Sequence, residues 1–127
     1  MSNEPKPIIL IAEDDPDIVE LMKAQIEMEE LAQFDFIFTD TIAHTVLQFM
    51  LSRDQITFIA LDGILKERLI RTFELPKMFR WFGYEGPIVA ISNGFREQQI
   101  LHGCDTLPSC PKKEQLIQVI SDWAKNL

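Results

Sequence analysis

The chain has 127 residues, 46% hydrophobic and 25% charged: long enough to bury a core and too apolar for wholesale disorder. Its 20 acids against 12 bases leave a formal net charge of −8, which argues against a phosphate-backbone contact surface and so against direct nucleic-acid binding. The opening residues Met1 to Pro7 hold no signal-like segment, no apolar run reaches membrane-spanning length, and Cys104 and Cys110 are too few for a disulfide framework. A single cytoplasmic domain over residues 1–127 is therefore expected.

Ile8 to Ala12 is a short apolar run that stops at Glu13-Asp14-Asp15, as a strand buried on both faces would. Asp15 followed by Pro16 reads as an N-cap and a proline in the first helical turn. Ile18, Val19, Met22, Ile26 and Leu31 then follow helical spacing. A second strand is predicted at Phe34 to Thr39, with Asp40 or Thr41 capping a helix through Val46, Leu47 and Met50. Ile56 to Leu61 is a third strand, again ending in an acid, Asp62. The stretch through Leu69, Ile70 and Phe73 is helical until Pro76 breaks or kinks it. A fourth strand is predicted at Pro87 to Ser92, a short helix at Arg96 to His102 and a fifth strand near Thr106 to Ser109. An amphipathic helix from Lys112 to Asn126, with Leu116, Ile120 and Trp123 on one side, closes the chain.

Five strands alternating with five helices imply a parallel sheet covered on both faces, because parallel strands need crossover connections. The functional crevice of such a sheet lies beyond the carboxyl ends of its strands. Glu13, Asp14, Asp62, Ser92 and the segment around Cys110 all fall at that edge. Three converging carboxylates repel one another unless a cation intervenes, and Mg²⁺ suits a few carboxylates with carbonyls and water. Phosphoryl transfer to a carboxylate follows chemically: Asp62 attacks in line, and Ser92 offers a hydroxyl to the phosphate. Helix capping accounts for Asp15 and Asp17 but not for acids at two separate strand ends. Ser92 before Asn93-Gly94 also fits ordinary turn chemistry, and both readings of it stand.

Ile8 to Ile18, Phe58 to Asp62, Ile88 to Ser92 and Gly103 to Pro111 together resemble the motifs of response-regulator receiver domains of two-component signalling. The resemblance runs from Ile8 to Trp123. It implies a flavodoxin-like, doubly wound five-stranded parallel sheet of order 2-1-3-4-5 with five flanking helices. It also implies a phosphoacceptor Asp62, a switch hydroxyl on Ser92, and Mg²⁺ held by Glu13, Asp14, Asp62 and the main-chain carbonyl of Ile64. The partners implied are a histidine kinase or phosphotransfer protein and a downstream protein, with neither nucleic acid nor membrane involved. Such a domain is not an enzyme beyond its own phosphorylation and dephosphorylation, and homodimer formation is open.

The chain departs from the family pattern at several places. Cys110 stands where receivers carry a lysine that pairs with the acceptor or its phosphate, and a thiol cannot supply that contact. Lys112 and Lys113 are the available substitutes, but their expected place is the exposed start of the last helix. Leu107 replaces a switch aromatic, Gly63-Ile64-Leu65-Lys66-Glu67 lacks the usual proline- and glycine-marked loop, and the fourth helix is about one turn short. A pseudo-receiver that binds a partner regardless of phosphate is therefore an alternative.

A haloacid-dehalogenase-like phosphatase is a further alternative, because Asp15-Pro16-Asp17-Ile18-Val19 resembles the first motif of that family and Ser92-Asn93 its second. It leaves Asp62 unexplained, and the downstream acid pair is missing. A flavin-binding relative is weaker still, since the loop after the first strand lacks glycines and hydroxyls to cradle a phosphate. Cys104 and Cys110 read as free, buried or half-buried thiols, and His44 and His102 as surface residues. The aromatic run Met78, Phe79, Trp81, Phe82 and Tyr84 should be mostly core, with some residues left for a contact patch.

Overall fold

The computed structural model describes residues 5–62, 65, 74–91, 103–105 and 112–127. Strands β1 (Ile8–Ala12), β2 (Asp35–Thr39), β3 (Ile56–Leu61) and β4 (Ile88–Ala90) form one parallel sheet of order β2-β1-β3-β4. Helices α1 (Pro16–Met28), α2 (Ile42–Ser52), α3 (Leu75–Trp81) and α4 (Leu116–Lys125) cover it. Beyond β4, Asp105 makes a parallel bridge to Val89, on the side where the fifth strand is expected. That strand, Thr106 to Ser109, and the Arg96 to His102 helix lie outside the described residues, as do Leu69, Ile70 and Phe73.

The apolar runs work because successive residues point to opposite faces. Ile8, Leu10, Ala12, Ile59 and Leu61 pack with Phe49 of α2 and Phe79 of α3. Ile9, Ile11, Phe58 and Ala60 pack with Met22 of α1 and Leu116, Ile117 and Ile120 of α4. Every residue of β1 is buried, which is why its sequence is a continuous apolar run and not an alternating one.

The helix ends refine the sequence expectations. Asp15 caps α1, accepting the Asp17 N–H at 2.9 Å, and Pro16 opens the helix. Of the two candidate caps for α2, Thr41 serves, its hydroxyl accepting the His44 N–H at 3.0 Å. α1 stops at Met28, so Leu31 is buried beyond the helix and not on it. The reversal passes through Glu30 at φ 54°, and the Leu31 N–H turns back to the Ile26 carbonyl at 3.5 Å. α3 ends the same way through Gly83 at φ 91°: the N–H groups of Gly83 and Tyr84 reach the carbonyls of Arg80 and Phe79, each at 3.0 Å.

Pro76 lies in the first turn of α3, where its missing N–H costs nothing. β2 and β4 are shorter than predicted, starting at Asp35 and spanning only Ile88–Ala90. The last helix is preceded by a separate 3-10 turn, Lys113–Gln115. Of the aromatic run, Phe79 and Tyr84 are core, while Trp81 stands 85% exposed at the end of α3. Leu47, Met50 and Leu51 of α2 are also exposed.

Candidate functional site

β1 and β3 are neighbours in register, Ala12 opposite Leu61, and the Asp62 N–H donates to the Ala12 carbonyl at 3.0 Å. The residue after each strand is therefore brought to the same point on the sheet edge, Glu13 from β1 and Asp62 from β3. The Glu13 N–H is tied to the Thr39 carbonyl of β2 at 2.9 Å, which fixes it from the other side. Glu13 and Asp62 are buried and Asp14 is half-buried; oxygens of all three lie within 4.8 Å of one another.

Lys113 enters this cluster from the turn that opens α4. Its ammonium donates to Glu13 Oε1 at 3.1 Å and to Asp62 Oδ2 at 3.0 Å. It also lies 2.9 Å from Glu13 Oε2, off the hydrogen-bonding direction, so that contact is an ion pair alone. Glu13 Oε1 additionally accepts the Asp15 N–H at 3.1 Å. Burial pushes the Glu13 carboxyl above its ordinary pKa; the Lys113 hydrogen bond opposes the rise and the Asp62 charge adds to it. Burial alone would lower Lys113, but hydrogen bonds and charges from Glu13 and Asp62 outweigh it and hold the ammonium pKa above its ordinary value.

A groove of about 350 Å³ opens beside the cluster between the starts of α1 and α2, lined by Glu13, Asp14, Val19, Phe38 and Asp40 among others. His44 sits at its rim, 3.5 Å from the Asp40 carboxylate.

No family model matches this sequence, and no curated protein matches it significantly. Solved structures do match over nearly the whole chain. A response regulator receiver domain protein from Clostridium thermocellum aligns at TM-score 0.71 with 13% identity, covering 94% of this chain and 95% of its own. A sensor protein from Polaromonas aligns at 0.66 with 25% identity, covering 96% and 98%. A CheX–CheY complex with beryllofluoride and Mg²⁺ from Borrelia burgdorferi aligns at 0.64 with 14% identity, covering 93% and 89%. This is the receiver fold.

Within that receiver fold, Glu13, Asp14 and Asp62 are together, as the acids at two strand ends suggested. Ser92, the Ile64 carbonyl and Cys110 lie outside the described residues. The two lysines part company. Lys112 is exposed at the start of the turn, as expected, whereas Lys113 is half-buried and reaches into the acid cluster. The turn Lys113–Gln115 packs against α1, and in that position the Lys113 ammonium reaches the sheet edge. No spacing in the sequence distinguishes the two lysines, because the choice depends on where the turn docks.

Gln25, which sequence reading did not single out, secures that docking: its Nε2 donates to the Glu114 carbonyl at 3.0 Å. Asp15 is occupied as a helix cap and belongs to no carboxylate cluster among the described residues. Cys104 is buried. The donor set suits a hard cation, since all three side chains offer oxygen and the buried Glu13 carboxylate needs positive charge.

Proposed function

We propose that the chain is a two-component receiver that accepts a phosphoryl group on Asp62 and signals by altered protein binding. The observation that carries this reading is the Lys113 ammonium on Asp62 Oδ2, because it supplies a cation at the acceptor although Cys110 replaces the usual lysine. Asp62 is the nucleophile: one carboxylate oxygen forms the bond to phosphorus as the phosphodonor's leaving group departs with its bonding pair. Glu13, Asp14 and Asp62 would hold a divalent cation, which when bound supplies charge to offset the phosphoryl oxygens. Lys113 orients Asp62 before transfer and neutralises phosphate charge after it. Ser92 is the proposed hydroxyl donor to the phosphate, and the Ile64 carbonyl a further cation ligand.

The domain turns over no substrate in this reading beyond its own acyl phosphate. A histidine kinase or phosphotransfer protein in the cytoplasm is the proposed donor, with a protein as the output partner. No described helix is long and apolar enough to cross a membrane. The pseudo-receiver alternative drew on the lack of a lysine, and Lys113 weakens that argument. The phosphatase alternative needs Asp15 as nucleophile, but its side chain caps α1.

Incubation with acetyl phosphate and Mg²⁺ tests the proposal. Intact mass should gain one phosphoryl group, absent in Asp62→Asn and reduced in Lys113→Met. Failure of the native chain to form that adduct, together with no response to beryllofluoride, would overturn it.

A further inference from the structure

Helix α2 carries apolar residues on both of its sides. Ile42, Val46 and Phe49 pack into the core beneath it, with Thr45 buried beside them. On the opposite side Ala43, Leu47, Met50 and Leu51 follow one another at helical spacing and are exposed, Leu47 at 54%, Met50 at 45% and Leu51 at 70%. A helix that is apolar all round is ordinarily covered on all sides, and a continuous apolar stripe facing water marks a contact surface.

Charge points to what covers it. At a formal net charge of −8, two copies of this chain repel over most of their surfaces. From Ile42 to Ser52, however, α2 holds no Asp, Glu, Lys or Arg, whereas α1, α3 and α4 each carry at least two such residues. Charges flank the stripe only at its ends, Asp40 before the helix and Arg53 after it. Asp54, the neighbour of Arg53, lines a separate groove with Lys6 at the amino end of the sheet.

The stripe is also complementary to itself. Ala43 and Leu51 lie equally far from Leu47 along the chain, on either side of it. An antiparallel copy turned about an axis at Leu47 therefore sets Leu47 against Leu47 and Ala43 against Leu51, a small residue receiving a large one at each end. The same turn brings Arg53 of each copy to the end where the other has Asp40, and opposes the two helix dipoles favourably. A parallel pairing would instead put Asp40 beside Asp40 and Arg53 beside Arg53.

We infer that α2 is the seam of a homodimer, in which two copies of the chain pack antiparallel about a two-fold axis at Leu47. α1 and α4 belong to the other layer of the sheet, so the turn bearing Lys113 stays outside the seam. The inference stands apart from phosphoryl transfer and needs neither cation nor phosphate. One short helix from each copy buries little area, so the dimer is of the weak, reversible class.

Sedimentation velocity of the full chain, from micromolar to millimolar concentration, tests it. A reversible monomer–dimer equilibrium is expected. Leu47→Glu places two carboxylates face to face on the axis and should weaken dimerisation at least about tenfold. Leu51→Glu, at a more exposed position, should act in the same direction, and thermal melts establish that each variant folds. Asp40→Lys alone and Arg53→Glu alone should each weaken the dimer, and the double variant should return to within about threefold of the native chain, because the exchanged charges again meet their opposites. A chain monomeric throughout, a dimer indifferent to both glutamate substitutions, or a double variant no tighter than its parents would overturn the inference. None of these results touches the labelling of Asp62 by acetyl phosphate.

Discussion

Glu13 concentrates the electrostatic stakes of the molecule, because its carboxylate is buried between a cation and another acid. With its folded-state pKa raised, the native chain keeps a proton that the unfolded chain has already lost over a window above the ordinary carboxyl range. The contribution of Glu13 to stability is therefore complete at acid pH and is lost as pH rises through the folded value. In metal-free buffer, the denaturation midpoint of Glu13→Gln should lack this part of the native chain's decline across that window. Parallel profiles for the two proteins would contradict the assignment. The three acids were legible from sequence because each directly follows or nearly follows an apolar run that could only be a strand. Lys113 was not, since its reach is decided by a turn docked through Gln25, a residue nothing in the local sequence marks.

The helices differ most from their sequence expectations where they stop. α1 and α3 end in the same left-handed reversal, one through Glu30 and the other through Gly83. A Cβ is strained in that conformation, so the two positions should respond oppositely to substitution. Glu30→Gly should raise stability by about 1 kcal/mol, and Gly83→Ala should lower it by about 1–2 kcal/mol, both read from urea unfolding. The glycine at α3 was a readable stop. With glutamate in that role, helical spacing ran on to Leu31, which is buried for a different reason: it closes the reversal over Ile26. At the other end of α1 the signals were complete, and Asp15→Ala should cost about 1 kcal/mol by removing the cap seen at the Asp17 N–H.

For the molecule as a whole, the two-sided burial of β1 and β3 made the architecture legible before any coordinate. The sheet pairs in the order β2-β1-β3-β4, and beyond it Asp105 bridges Val89 on the side of the expected fifth strand. In the face under α2 and α3, Phe49 packs against Phe79 with ring centroids 4.4 Å apart. Phe79→Ala should cost about 3–5 kcal/mol, a large part of the stability of an ordinary domain, and calorimetric melting would register it. A loss near zero would mean that this layer is not the packed core described.

The indoles of Trp81 and Trp123 have opposite surroundings: one stands in water, while the other is wedged against Phe34 and Phe58 beneath the last helix. Their intrinsic emission is thereby divided between a signal that iodide quenches freely and one that it reaches poorly. Any displacement of the helix whose opening turn bears Lys113 will register in the shielded signal, so the native chain carries its own optical probe.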